Sequence, residues 1–405
     1  MSEEKKKGIE AQLEHIRHSK DVVHKHSPGV GKILDLAVTY VFDAEKAAAG
    51  GKNVIWTAGL AECPLFYACG AIPLAFTEMG RLGSTEAISI SEDIFQLPRE
   101  TCSMVKVILG ELYLRQKSTA RRLFYSSRTC EPYNIAFELV RQQFGFDIHV
   151  DDVGVKPDDI SPERYEILLK YYKAQLRQAA AWISGGKPLD EEKLGEELKR
   201  YNRAIRKART IMNLRKQHPT YIRSLPAMFI LLGSSHYFGK PQEYEEAIDL
   251  IIEELSALEP GEYNDTVVPL VWSGARGQEF GVYEAIDEAG GSVLGWCIPN
   301  TFERGFDETK TPLDALVEFQ IGGKNSGTTS QACLVIENQV KKSDAKGLIL
   351  YGYVGCSFGS IDIEMKRNHF KKRDIPSIAI DGTFQVGPPT GQLITRVKAF
   401  VEMLS

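Results

Sequence analysis

The cysteines are the residues of this chain with the most distinctive chemistry, and two of them recur in the same setting. In RRLFYSSRTCEP and in KGLILYGYVGCSFG an apolar, strand-like run is followed by a single cysteine, Cys130 in the first segment and Cys356 in the second. A helix-like stretch follows each of them. Such a residue would lie between the carboxyl end of a parallel strand and the amino end of a helix, where open α/β sheets bind ligands. The N–H groups of the helix terminus favour a thiolate over a thiol at that place.

Five further cysteines are spread over both halves of the chain. Cys102 lies near the start of a helix-like stretch, and Cys63 lies just after the first predicted strand. In the second half Cys297 ends the run GSVLGWC and Cys333 lies in TTSQACLVIEN. We interpret Cys69, within an apolar helix-like stretch, as a packing residue. Without it, each half of the chain holds three cysteines.

Cysteines that converge from distant loops suit an iron–sulfur cluster, whose usual ligands are thiolates. A structural zinc site fits less well because no C-x-x-C pair occurs. A Cys/His/Asp nucleophilic triad lacks both a nucleophile elbow and a histidine near the cysteines. The remaining alternative is that the thiols are small core residues, which is the commoner role of a cysteine in an apolar context.

Other polar residues keep two interpretations open. Side chains beside the predicted ligands either contact a metal centre's ligands or are ordinary surface residues: Glu62, Arg99, Arg128, Glu131 and Trp296. The four N-terminal histidines lie on a charged stretch, and we expect them at the surface and not at a metal: His15, His18, His24 and His26.

The elements that must position the cysteines alternate between strands and helices in both halves, which is typical of βαβ units with parallel sheets. The strand-like runs are KNVIWTAG, AIPLAF, RRLFYSS and FDIHVDD in the first half, and TVVPLVWSG, GSVLGWCIP, KGLILYGYVG and IPSIAID in the second. A strand–cysteine–helix–strand unit occurs in each half and ends in an acid, Asp151 or Asp381. This repetition indicates an internal duplication of one βαβ unit.

We therefore predict an α/β fold with two doubly wound parallel-sheet (flavodoxin/Rossmann-like) domains and helical N-terminal and linking segments. A chain of 405 residues is too long for one small core. The predicted divisions are an N-terminal helical segment (1–50), a first α/β domain (51–160), a helical connecting region (161–262) and a second α/β domain (263–405). The connecting region is rich in charge and helix formers, and we interpret its charge as a solvated face.

Composition argues against several classes of function. The formal net charge of −5 gives no basic footprint for nucleic acid. No apolar run approaches the roughly 20 residues of a membrane span, and the N-terminus lacks the apolar stretch of a signal peptide, so we expect a cytoplasmic protein. Neither GxGxxG nor GxxxxGK[ST] occurs, so we expect that this chain does not itself hydrolyse ATP.

Several segments, taken in order, resemble those of a known family. They are YACGAIPLAF, TCSMVKVILG, YSSRTCEP, DEAGGSVLGWC and YGYVGCSFG. Over nearly the whole chain they resemble the 2-hydroxyacyl-CoA dehydratase and benzoyl-CoA reductase family. The resemblance implies a [4Fe–4S] cluster in a cleft between two α/β domains, with Cys102, Cys130 and Cys356 as its ligands. It also implies a separate ATP-hydrolysing iron–sulfur activator protein that injects one electron at very low potential.

One departure from the dehydratase pattern points to a particular branch. Dehydratase subunits tend to show Pro-x-Glu just before the AGAIP-like turn, where this chain has Glu62-Cys63-Pro64. Cys63, Cys297 and Cys333 then form a second set of three candidate ligands, which resembles the family's double-cubane branch. In that branch six cysteines of one chain hold an [8Fe–9S] double cubane, and the proteins are homodimers that reduce small molecules.

The leading hypothesis from the sequence is a low-potential iron–sulfur reductase of a small substrate, supplied with electrons by the activator and assembled as a homodimer. The first alternative is a subunit of a heteromeric (R)-2-hydroxyacyl-CoA dehydratase, with one cubane on three cysteines. The second is a non-catalytic cluster-binding or scaffold protein, in which the cysteines are core residues.

Overall fold

Two parallel sheets form the framework of the protein. The computed structural model describes residues 27–58, 63–81, 85–115, 120–127, 130–152, 159–298, 304–322, 328–357, 359–384 and 388–405. Within these ranges the strands are β1 (Val54–Thr57), β2 (Ile72–Ala75), β3 (Arg122–Ser126), β4 (Asp147–Asp151), β5 (Val268–Gly274), β6 (Gly291–Cys297), β7 (Gly347–Tyr353) and β8 (Ser377–Gly382). Each of the eight predicted runs overlaps one of them.

The two sheets share one topology. Their strand orders are β2-β1-β3-β4 and β6-β5-β7-β8, and all neighbouring strands are parallel. The same β-strand order appearing twice confirms the predicted α/β fold with two parallel-sheet domains. Parallel sheets need helices on their faces, and the buried, apolar strands agree with such cover.

The pairing register of the strands identifies which positions of the two halves are equivalent. Trp56 of β1 pairs with Leu123 of β3, and Trp272 of β5 pairs with Ile349 of β7. Cys130 lies as far beyond Leu123 as Cys356 lies beyond Ile349. The two cysteines therefore occupy equivalent positions.

The terminal acids are equivalent too. Ser126 pairs with Asp151 in the first sheet, and Gly352 pairs with Asp381 in the second. The repeated unit recognised in the sequence is thus repeated in the strand pairing.

Helices cover both sheets and fill the space between the two halves. Those of the first half are α1 (Pro28–Ala49), α2 (Cys63–Ala68), α3 (Thr85–Asp93), α4 (Ser103–Leu114) and α5 (Glu131–Phe144). The connecting region contains α6 (Pro162–Ile183), α7 (Glu191–Arg215), α8 (Ser224–His236) and α9 (Pro241–Ser256). The second half adds α10 (Gly281–Glu288), α11 (Pro312–Ile321), α12 (Thr329–Lys342), α13 (Ile363–Lys371) and α14 (Gly391–Leu404).

Local sequence signals explain where several helices begin and end. Ser27 caps α1 by accepting a hydrogen bond from the Val30 N–H at 3.2 Å, and Pro28 takes the first helical position. Gly145 ends α5 in the left-handed conformation with φ 62°. Thr328 and Gln331 form a capping box at the start of α12.

The helical connecting region contributes one fully buried helix, α8, to the interior of the molecule, whereas α6, α7 and α9 each bury one face. Every residue of α8 is buried, which explains why this helix has no polar face. The N-terminal helix α1 packs against α8 and α9. Its Gly29 N–H donates to Glu254 of α9 at 2.8 Å. None of the described helices is long and apolar enough to cross a membrane.

A buried ion pair joins the two α/β halves. Arg276, just after β5, donates to Glu78, just after β2, at 2.6 Å. The exposed fraction of the side chain is 5% for Arg276 and zero for Glu78. Arg276 also donates to the Thr77 carbonyl and accepts a hydrogen bond from Tyr283 at its own carbonyl. The loops at the carboxyl ends of the two sheets are therefore held against each other.

Replacing Arg276 by methionine should destabilise the protein strongly, because the Glu78 carboxylate would stay buried without its cation. The expected loss is about 3–5 kcal/mol in the free energy of unfolding. Urea denaturation followed by tryptophan fluorescence measures it.

The matched control is Lys398→Met, which removes an exposed ion pair with Glu288 at 2.8 Å and should cost less than about 1 kcal/mol. Adding Glu78→Gln to Arg276→Met should recover part of the loss, since the buried charge is then gone. Equal losses for Arg276→Met and Lys398→Met would contradict this account.

Candidate metal centre

Cys102 and Cys356 meet where the two halves touch. Cys102 directly precedes α4, and the Ser103 N–H donates to the Val354 carbonyl at 3.3 Å. Gly355 has φ +75°, and a Cβ added to it would lie 2.3 Å from the Glu100 carbonyl oxygen. Only glycine permits this approach of one backbone to another. The approach brings the thiols of Cys102 and Cys356 into hydrogen-bonding contact.

Cys130 joins this pair from the first sheet. It is the residue immediately before α5, on the loop that follows β3. Its thiol lies close enough to Cys356 to interact electrostatically. The phenol of Tyr133 is near all three cysteines. We call Cys102, Cys130 and Cys356 the thiol site.

Neighbouring thiols and burial raise the pKa of Cys102 and of Cys130. The neighbouring Cys356 thiol and, next, burial raise the pKa of Cys102 well above its ordinary value. Burial raises the pKa of Cys130. The backbone N–H groups of Met104 and Val105, at the start of α4, lower the pKa of Cys102 by a smaller amount. The N–H groups of the helix terminus thus act in the expected direction on Cys102 and Cys130, but burial and the neighbouring thiols outweigh them.

Two tyrosines and a backbone donor surround the thiols. Burial raises the pKa of Tyr133 and of Tyr353, so both phenols stay protonated. Tyr353 also lies near Cys102, Cys356 and the guanidinium of Arg276. The Gly359 N–H donates to the Cys356 sulfur at 3.1 Å, an interaction that favours the charged form of a sulfur ligand.

The donor set of the thiol site fits a soft, thiophilic group. Three thiolates suit an iron–sulfur cluster far better than magnesium or calcium, which require oxygen ligands. In the described part of the chain, no three His, Cys, Asp or Glu side chains converge closely enough to hold one metal ion. A cubane requires a different arrangement of ligands, because each thiolate binds its own iron and the cysteine sulfurs are therefore spread around the cluster.

The contacts described for the other three predicted ligands are different ones. Cys63 begins α2, is fully buried, and lies near Tyr67 and Tyr237. Cys297 at the end of β6 and Cys333 within α12 belong to one apolar cluster of the second half. The described contacts thus join three of the six predicted ligands at one place, and metal binding by any of the six stays a prediction.

The remaining cysteine, Cys69, and the residues that flank the predicted ligands have varied surroundings. Cys69 packs against the core, and burial raises the pKa of its thiol to about 11. All seven cysteines are among the described residues, and none of them forms a disulfide. Arg99 and Glu131 are exposed, while Trp296 is buried beside Trp272 with ring centroids 6.1 Å apart. Glu62, Arg128 and the four N-terminal histidines lie outside the described residues.

Sequence reasoning missed the residues that surround the thiol site from the second half. Tyr353, Arg276 and Glu279 stand on or just after strands β7 and β5. One signal was available: Tyr351 and Tyr353 alternate on β7, so both point to one face of the sheet. A surface pocket of about 420 Å³ lies along the edge strand β8, and none of its lining residues belongs to the thiol site.

Comparison with known proteins assigns the family. Residues 61–404 match the sequence model of the family described as "2-hydroxyglutaryl-CoA dehydratase, D-component". The chain is also similar to the Escherichia coli (strain K12) protein named "Putative dehydratase subunit YjiM". The two are 24% identical over 337 residues, which cover 80% of this chain and 85% of the relative. The family match spans most of the chain and includes both halves of the thiol site, so the protein belongs to the 2-hydroxyglutaryl-CoA dehydratase D-component family.

Proposed function

We propose that this chain is the iron–sulfur subunit of a 2-hydroxyacyl-CoA dehydratase and that Cys102, Cys130 and Cys356 hold a [4Fe–4S] cluster. The observation that carries the proposal is the meeting of these three cysteines, from both α/β halves, at one domain interface. Membership of a dehydratase family supports the reaction class. The relative's name as a dehydratase subunit supports a heteromeric enzyme.

The chain's own residues would do three things in this reaction. The three thiols would hold the cluster, with backbone N–H groups in place of cationic side chains stabilising the sulfur charge of Cys102 and Cys356. Tyr133 and Tyr353 would exclude water from its sides. When bound, the cluster would supply one-electron transfer and a Lewis-acidic iron. Because three thiolates serve about four irons, one iron would lack a cysteine from this set and be open to substrate.

Electrons would come from a separate ATP-hydrolysing iron–sulfur activator protein. The sequence has no phosphate-binding loop, so the ATP-driven step belongs to another chain. The substrate class would be a 2-hydroxyacyl-CoA thioester, from which one molecule of water is eliminated.

The second candidate function is the low-potential reductase with a double cubane and a homodimeric assembly. What favours it is the presence of three more buried cysteines, two of which, Cys297 and Cys333, share one cluster of side chains. The two candidates differ in iron content and in which cysteines matter.

Iron and acid-labile sulfide should amount to about four of each per chain after anaerobic purification. Cys102→Ser, Cys130→Ser and Cys356→Ser should each lose most of the iron, because each removes one of only three protein ligands. Cys63→Ser, Cys297→Ser and Cys333→Ser are the matched controls and should retain it. About eight irons, with half lost in the Cys63→Ser protein, would favour the double cubane, and no iron in the wild type would overturn both candidates.

Replacing Gly355 by alanine should abolish most iron binding, because the new Cβ would collide with the Glu100 carbonyl and push Cys356 away from Cys102. Gly290→Ala is the control: Gly290 has a similar φ of +82°, but an added Cβ would meet nothing within 4 Å. Iron analysis and the visible absorption of the purified proteins measure the effect. If Gly290→Ala and Gly355→Ala lost iron equally, backbone strain alone would explain the loss.

The metal-free protein should lose stability as pH rises above about 8.5, the ordinary pKa of cysteine. Cys102 has a raised pKa in the folded state, so the unfolded chain releases its proton first. The contribution is present below the unfolded pKa and is lost at a slope of up to about 1.4 kcal/mol per pH unit. Urea denaturation with a chelator at pH 8, 9 and 10 should therefore show a steeper decline in wild type than in Cys102→Ser. A wild-type stability that rises over this interval would contradict the burial of a neutral thiol.

A further inference from the structure

Tyr351 on β7 is held in place by glycines on three sides. An added Cβ would lie 2.1 Å from the Tyr351 carbonyl oxygen at Gly274, 3.1 Å from its ring at Gly277, and 1.7 Å from its hydroxyl at Gly382. Gly274 and Gly277 also have positive φ values, of 103° and 74°. Trp272 stacks on the ring at 5.1 Å. Gly277, Gly382 and Trp272 thus pack closely around the phenol.

The phenol of Tyr351 forms a hydrogen bond with a carboxylate. The Tyr351 hydroxyl donates to the Glu279 carboxylate at 2.6 Å. Tyr351 is only 1% exposed, whereas Glu279 is half-buried and reaches solvent. The Thr383 N–H donates to the same carboxylate. Two donors thus fix the orientation of a carboxyl group that other molecules can still reach.

Glu279 is linked to the thiol site through Tyr353. It follows β5 and precedes α10, on the loop that also carries Arg276. Its carboxylate is near Tyr353, and Tyr353 is near Cys102 and Cys356. The titratable groups that face it are the phenols of Tyr351 and Tyr353. Among the described residues no Lys or Arg forms an ion pair with it, and burial raises its pKa.

We propose that Glu279 is the proton-transfer residue of the reaction at the thiol site and that Tyr351 is its positioning residue. This inference rests on the proposed dehydratase function. A carboxyl group that is half-buried, whose pKa burial raises and that has no cationic partner among the described residues, is suited to act as a general acid.

The elimination balances with Glu279 alone. The protonated carboxyl gives its proton to the leaving hydroxyl as the C–O bond breaks, and water departs with that electron pair. A C–H bond of the substrate breaks, its electron pair forms the C=C bond, and the carboxylate takes up the proton. Substrate has then lost one water, and Glu279 is again protonated, with no net oxidation or reduction.

The test compares Glu279→Gln and Tyr351→Phe with Tyr125→Phe, which removes a phenol from the position on β3 equivalent to that of Tyr351. The anaerobically purified holoenzyme, with its partner subunits, is assayed on 2-hydroxyglutaryl-CoA with titanium(III) citrate as the one-electron reductant. Iron content and visible absorption are recorded for each protein. The measured quantity is kcat as a function of pH.

Glu279→Gln should lower kcat by about 100-fold or more while leaving iron and absorption unchanged. In wild type kcat should fall as pH rises through the pKa of Glu279. Tyr351→Phe removes a donor that lowers this pKa, so the fall should move to higher pH, whereas Tyr125→Phe should leave it in place.

Three results would overturn the proposal: a Glu279→Gln kcat within threefold of wild type, an unmoved pH profile in Tyr351→Phe, or loss of iron in Glu279→Gln, which would indicate a structural role. A wild-type protein without iron, or one that eliminates no water, would instead overturn the proposed function on which the inference rests.

Discussion

The close approach of the two sheet ends is the constraint on which the thiol site depends. Gly355 lies against the backbone of residues 100–102, and the Arg276–Glu78 ion pair is buried beside this contact. A buried ion pair adds little net stability compared with apolar packing, but it penalises every arrangement in which its charges are separated. Its main effect here is therefore to select one relative placement of the two halves, the placement in which Cys102 and Cys356 touch.

Only two of the three cysteines of the thiol site are related by the internal duplication. Cys130 and Cys356 occupy equivalent positions of the duplicated unit, as the strand register requires. Cys102 lies just before α4, whereas the residue just before α12 is Thr328, and Cys333 lies inside that helix. The symmetric picture of three ligands in each half came from counting cysteines along the chain. Counting cannot distinguish a residue at a helix start from one a turn further on, where its side chain faces the core.

Most of the fold could be predicted from local sequence signals, whereas most of the site depends on contacts between distant segments of the chain. The eight strands and the duplication follow from periodicity and turn residues, and the family resemblance already grouped Cys102 with Cys130 and Cys356. The apolar sequence of α8 is a local signal of burial, but it does not indicate which elements surround the helix. Likewise, Glu279 is an ordinary acid in the sequence and becomes distinctive only once Tyr351 is packed against it.

The electrostatics of the thiol site bear on what could be bound there. The main groups that act on Cys102 and Cys130 are other thiols, burial and backbone N–H groups, with no cationic side chain among them. Forming thiolates on this site must therefore expel protons against a raised pKa, and only a strongly binding metal group compensates for that cost. The same lack of cations would leave an added electron on such a group poorly stabilised, which lowers its reduction potential. The burial that raises the pKa of the Cys102 and Cys130 thiols is thus also a property that would make a cluster bound by them a strong reductant.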